Sequence, residues 1–399
     1  MWEQIRSNQM RSAFLIGVLG ALLLVVGYFL GQAFAQNGVA GIIIAAAVWA
    51  FMLLIAFFQG DNILLSVSGA KKITPENNPR LYNVVEEMKI ASGLEKMPDV
   101  YIIDDPAMNA FATGRSKDKT AVTVTSGLLQ NLNRDELQGV VAHEISHIKN
   151  RDVLLMSLAG VLLGTIVILA WYGTRVMFFG GMANRRSSSK GGGQAQALIL
   201  VAALVLMILA PIAAQLLYFA VSRKREYLAD ASAALYTRYP EGLASALGKL
   251  AASTKQIKNA NQATAPMYTI NPFRKEGREA TDLTSTHPPI SERIRILRAM
   301  GGASPADYER AYEQVKHRKI IPASALAAAD SVSLRAASAE KESEADRLTR
   351  TRETSDMLLR MNNYKIVTCA NCGTKYKIPP AFPDPNIVCA HCGKTVNIK

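Results

Sequence analysis

The chain has 399 residues, 49% of them apolar, and a formal net charge of +13. That length allows two or three domains, and the gathering of apolar residues into long uncharged runs excludes an ordinary soluble protein. Nucleic acid is not the expected partner of the positive charge. Many of the cations flank the apolar runs: Arg6 and Arg11, Lys71 and Lys72, Arg223, Lys224 and Arg225.

No charged residue occurs from Ser12 to Gly60, and further uncharged runs follow at about 153–173 and 195–221. A helix crosses the bilayer core in roughly 20 residues, so about four transmembrane helices are expected, the first two as a hairpin within residues 1–60. Ala33-Phe34-Ala35 resembles a signal cleavage site. The apolar stretch before it, however, exceeds the usual apolar core of about 7–15 residues, and a second span follows closely. Basic residues beside spans favour the cytoplasm. The N-terminus is therefore expected inside, the loop around Gly31 to Gly38 outside, and the chain from Asp61 inside again. Arg175, Arg185, Arg186 and Lys190, between the third and fourth runs, go against this assignment. Taken together, the signals point to a multi-pass protein of the inner (plasma) membrane with the bilayer as one partner.

Within residues 61–320, Leu81, Val84, Val85 and Met88 recur at helical spacing over 79–92. Strands are expected at 100–104 and 120–125, with MNAFATG at 108–114 as a third. Ser126 begins a short helix, and Asn133 can cap another whose first turn holds Asp135 and Glu136. Further helices are expected at 223–238, 240–253, 290–300 and 305–317, with a loop-rich stretch at 257–286. The fold class is thus a mainly α-helical integral membrane protein carrying an α+β domain with a small sheet.

The helix after Asn133 carries HEISH at 143–147. Residues four apart project from one face, so His143 and His147 can hold one zinc ion, with Glu144 placed to take a proton from water. A catalytic zinc needs a third protein ligand. Glu226 and Asp230 follow the fourth run at i and i+4. Glu226 could bind zinc and Asp230 could orient one of the histidines; equally, the two could be a surface carboxylate pair beside a basic anchor. A hairpin of the third and fourth runs would bring the two segments to the same membrane face.

HEISH, then REYLAD after a pair of apolar runs, then STHPPISERI at 285–294, resemble the HtpX-type membrane zinc metalloproteases, more distantly the CAAX prenyl endopeptidases. The resemblance spans roughly residues 1–300 and implies a zincin-like catalytic domain. It implies His143, His147 and Glu226 as zinc ligands, Glu144 as general base and Asp230 as the residue behind a ligand. It also implies substrate pairing along Asn109, Ala110, Phe111 and Ala112, and His287 near the reacting carbonyl. A His-Pro-Pro turn starting the next helix is the alternative for His287. Protein or peptide substrates are implied, misfolded or membrane proteins among them, cut on the cytoplasmic side.

Residues 321–360 are rich in alanine, serine and charge and read as a linker with helical tendency. The last stretch, 361–399, holds all four cysteines as CANC and CAHC, each followed by a glycine. Cys369, Cys372, Cys389 and Cys392 have the spacing of a structural zinc site, a second zinc in a ribbon-like module. That module could recruit a protein partner, so a catalytically silent adaptor is the competing function.

Overall fold

The computed structural model describes residues 2–116, 118–153, 166–167, 170–171, 175, 201, 205, 208–212, 223–258, 268–270, 287–321, 323–326, 332–338 and 343–398. Helices α1 (Trp2–Ala35) and α2 (Gly38–Val67) form the expected hairpin. Asn37 caps α2, its side chain accepting from the Ala40 N–H. The pair closes on small residues. A Cβ at Gly41 would lie 2.1 Å from the Gly27 carbonyl oxygen, so only glycine lets the backbones approach so closely. Away from that seam, Ile43, Ile44, Phe51, Leu54 and Phe58 are exposed. A continuous apolar face of this kind suits lipid.

By length and composition α2 can cross a membrane, and among the described residues it alone qualifies in full. The expected spans at 153–173 and 195–221 lie mostly outside the described residues. Ile166 and Ala210, one from each run, are buried in a cluster with Leu19, Leu23, Val26 and Ala45 of the hairpin.

After the hairpin comes a four-stranded sheet of β1 (Lys71–Lys72), β2 (Asp99–Ile103), β3 (Ala110–Ser116) and β4 (Lys119–Thr125), in the order β1-β2-β4-β3. β2 and β4 run parallel, while β3 pairs antiparallel with β4 and stands at the edge. Helix α3 (Pro79–Ser92) begins on an Asn78 cap and ends at Gly93 with φ +66°, a left-handed position that suits glycine. It buries Leu81, Val84, Val85 and Met88. After the short α4 (Ser126–Asn131), α5 (Arg134–Lys149) starts from a capping box in which Asn133 and Glu136 satisfy each other's backbone N–H groups.

Helical residues 223–237 (α6) and Pro240–Ala252 (α7) come next among the described elements. α5 and α7 meet at glycine. A Cβ at Gly139 would lie 2.6 Å from the Leu243 nitrogen, and one at Gly242 2.6 Å from the Asp135 oxygen. Glu136 locks the crossing by accepting from Ser245 at 2.6 Å and pairing with Lys249 at 2.7 Å. α8 (Ile290–Arg298) packs on α7, and α9 (Pro305–Lys316) is capped by Ser304 and Asp307. Val140, Val141, Ala142 and Ile145 of α5 share one core with β2, β4, α3 and α6–α9.

The segment expected as a linker is anchored in the described residues. Arg335 reaches Asp135 and Gln138, both at 2.8 Å, and Ser338 bonds Asp135 through its backbone and hydroxyl. After the four-residue α10 (Ala323–Leu326), α11 (Glu344–Met361) packs on α4 and buries Met357 in the main core. The charged composition hid this, because only one side of α11, including Arg350, Thr354 and Met357, turns inward. Two hairpins end the chain, β5 (Lys365–Thr368) with β6 (Lys375–Ile378), and β7 (Asn386–Val388) with β8 (Thr395–Asn397).

Candidate active site

α5 is buried along its whole inner length, and His143, Glu144 and His147 are at most 5% exposed. The Nε2 atoms of His143 and His147 face each other at 3.3 Å. Glu226 of α6 lies 3.4 Å from His147 Nε2 through Oε1 and 3.5 Å from His143 Nε2 through Oε2. Zinc bonds of about 2.0–2.1 Å in a tetrahedron place neighbouring donors about 3.3–3.4 Å apart. The two ring nitrogens and the Glu226 carboxylate therefore converge at about the spacing of zinc donors, with one carboxylate oxygen turned to each histidine. Glu226 Oε2 is buried and makes no hydrogen bond among the described residues, which leaves it open to a cation. Spacing alone left Glu226 and Asp230 open between a metal site and a surface pair, and the family resemblance implied the metal site. Both are buried, at 1% and 0% exposure, which removes the surface reading.

The groups behind the ligands fix them. Asp230 takes His143 rather than His147, with Oδ1 3.0 Å from Nδ1. His147 is held by Asp152, Oδ2 to Nδ1 at 3.1 Å. Both imidazoles thereby present Nε2 inward. Arg293 of α8 clamps Asp230 from the other side, Nε to Oδ2 at 2.8 Å and Nη2 to Oδ1 at 2.7 Å. Its Nη1 stands 3.5 Å from Glu226 Oε2. Burial alone would raise the Asp230 carboxyl, but Arg293 and His143 hold it below its usual range. Burial lifts Glu144 above the usual carboxylate range, against the pull of His143 and His147.

His287 sits just before α8 with Nε2 3.7 Å from Glu226 Oε2 and faces the same cavity as Ala112, Glu144 and Tyr268. Burial pushes its pKa down to about 4, which keeps the imidazole neutral. The α8 N-cap is Pro289, so the His-Pro-Pro turn also leads directly into that helix.

Of the four residues expected to pair with substrate, Ala112 reaches the cavity. Asn109 and Ala110 are engaged by the chain itself. Asn109 bonds Ile270 through both ends of its amide, at 2.8 and 3.2 Å, and the Ala110 oxygen accepts from the Thr269 N–H at 2.8 Å. Phe111 stacks edge-on against Tyr268 at 5.1 Å. Arg225, expected as a membrane-flanking cation, is buried, and its guanidinium nitrogens have no hydrogen-bond partner among the described residues.

Sequence reasoning missed Asp152, Thr269 and Arg293. Asp152 lies five residues past His147 and Arg293 sits inside STHPPISERI, so each was within reach of a motif. Thr269 stands in a stretch of weak periodicity and carries no local signal.

The four cysteines converge at the knuckles of the C-terminal hairpins, with Cys369 and Cys392 sulfurs 3.6 Å apart and Cys372 and Cys389 3.5 Å apart. All four are free, and one ligand atom from each falls within 4.8 Å of the others. Zinc–sulfur bonds of about 2.3 Å imply tetrahedral edges near about 3.8 Å, so the group fits a second zinc. Gly373 and Gly393 take φ +73° and +71° at the knuckle turns. The Tyr376 hydroxyl donates to Cys389 at 3.0 Å and draws its thiol pKa down to about 5, favouring the thiolate that a metal needs.

Comparison with known proteins agrees with this geometry. The description "Peptidase family M48" matches residues 75–301. A "Protease HtpX homolog" of Dictyoglomus turgidum is 46% identical over 300 residues, covering 75% of this chain and 95% of that protein. Proteins of the same description from Listeria innocua and Streptococcus uberis are 44% and 38% identical, each covering 75% of this chain and 100% of the relative. Among solved structures, the crystal structure of S. mikatae Ste24p is similar at 20% identity and a TM-score of 0.40, over 74% of this chain and 67% of that one. The family match ends before the cysteine module.

Proposed function

The chain belongs to peptidase family M48 and is a zinc metalloprotease, and from that premise we propose that HEISH and Glu226 form its endopeptidase centre. His143, His147 and Glu226 would hold the zinc, and the convergence of the two Nε2 atoms, 3.3 Å apart, on one buried carboxylate carries this reading. The chemistry the ion would supply there is acidification of water and polarisation of the scissile carbonyl. Glu144 accepts the proton of the attacking water and returns it to the leaving amine. Its burial, which raises its proton affinity, suits an acceptor that must later donate. Neutral His287 lines the same cavity and can donate to the carbonyl oxygen as negative charge develops there. Asp230, Asp152 and Arg293 hold the ligand rings rather than touch substrate.

Substrates are proteins or peptides. A strand laid along β3 from Ala112 would be held by main-chain bonds, tolerant of sequence. That tolerance and the apolar hairpin support misfolded and membrane proteins as targets. We place the protease as a multi-pass protein of the inner (plasma) membrane, its centre facing the cytoplasm, on the distribution of span-flanking cations. The cysteine module would hold a structural zinc and recruit a protein partner. A silent adaptor is disfavoured by the M48 membership. Stripping the detergent-solubilised protein with a chelator should abolish cleavage of an unfolded protein, and adding back zinc to fill both sites should restore it. Cleavage that survives full zinc removal refutes the proposal.

A further inference from the structure

We propose that Thr269 is the positioning residue for Glu144, tying its carboxylate to the strand edge along which the peptide lies. The inference rests on the reading of Glu144 as the base. Thr269 is 2% exposed, and its Oγ1 lies 2.7 Å from Glu144 Oε1 and 2.9 Å from the Ala110 oxygen. A hydroxyl has one proton to give, and an ionised carboxylate is the stronger acceptor. The Ala110 oxygen keeps a donor regardless, because the Thr269 N–H already points at it from 2.8 Å. The hydroxyl is thus available to orient Glu144.

Its own place is set on both sides. Asn109 bonds the N–H and the carbonyl of Ile270, and Tyr268 stacks on Phe111. Residues 268–270 are thereby fixed to the first residues of β3, and the hydroxyl between them has little freedom. Along an edge strand, alternate residues face the neighbouring strand and the open side. Ala110 faces the open side, where it meets Thr269, so Ala112 is the next residue to do so. Ala112 lines the cavity with Glu144 and the zinc-ligand residues. The first edge groups available to a peptide therefore adjoin the residue that holds the base.

A glutamate's terminal torsion is broad and weakly restrained. Without the hydroxyl, the carboxylate has lost a donor and its angle to the attacking water is no longer fixed. Peptide binding through main-chain bonds is untouched. The effect belongs in kcat and not in KM.

The test uses the full-length protein in detergent, an internally quenched peptide from a mixed-sequence library, and a zinc count on every variant. Thr269→Val should lower kcat about 10- to 100-fold, the range for losing one hydrogen bond to a charged group, with KM and zinc content unchanged. Thr269→Ser should recover kcat to within about threefold. The proposal is overturned if Thr269→Val keeps kcat, if Val and Ser lose equally, or if KM rises while kcat holds. Should Thr269→Val not fold, Thr269→Ala is judged by the same criteria. Glu144→Gln separates the two levels. If it cleaves like the parent, the base assignment fails; if it is inactive while Thr269→Val keeps kcat, the positioning role alone fails.

Discussion

Replacing Arg293 with leucine should weaken both the fold and the zinc centre, although Arg293 is not among the zinc ligands. Arg293 and Asp230 are each 0% exposed, and the aspartate accepts two bonds from the guanidinium, at 2.7 and 2.8 Å. At a separation of about 3 Å and an effective dielectric of about 20, the attraction is about 5–6 kcal/mol. Mutational experience with broken buried pairs gives about 3–5 kcal/mol, because the remaining charge stays buried without its partner. For a domain of this size that lowers the melting temperature by about 6–20 °C. Asp230 would then be left with His143 alone, at 3.0 Å. Loosening a group behind a metal ligand costs about 10- to 100-fold in affinity. Arg293→Lys should fall between parent and leucine, since an ammonium cannot span both carboxylate oxygens. Thermal unfolding in detergent and zinc competition against a chromophoric chelator measure the two effects. A leucine variant that melts within about 2 °C of the parent and binds zinc equally well would refute the clamp.

Gly139→Ala should destabilise the protein by about 1–3 kcal/mol through overpacking, since the new Cβ meets Leu243 backbone at 2.6 Å; a melting curve decides. Met357→Ala should cost about 2–5 kcal/mol locally, seen as faster proteolytic release of α11 with the cysteine module. Cys389→Ser should remove one zinc equivalent per chain and leave the other, read by metal analysis. The Asp135 carboxyl, held low by Ser338 and Arg335 against burial, should stabilise the 332–338 anchor fully above pH 3.8. That stabilisation should vanish as pH falls through the lower folded-state value, and pulse-labelled hydrogen exchange at Ser338 would show it.

The catalytic helix was legible because its signals are local: the Asn133–Glu136 box sets its start, and the four-residue step puts both histidines on one face. From residue pattern alone Glu226 and Asp230 were legible only as a spacing, and it took the family resemblance to imply a ligand and its support. Their roles depend on Arg293 and His143 closing around them from elements far along the chain. Arg293 itself looks like any cation of a short amphipathic helix until α8 turns it inward. Thr269 could not have been found, since nothing in MYTI announces that it will lie against β3. α11 misled for another reason. Most of its residues are solvated, and the few that turn inward are too sparse to outweigh them in composition.

Glu144→Gln in the full-length protein, assayed for cleavage and for zinc on the same sample, tests the central claim most directly. The account predicts the parent's zinc content, because Glu144 is not a ligand, and no cleavage of an unfolded protein or quenched peptide. Cleavage at the parental rate by the zinc-loaded variant would contradict it.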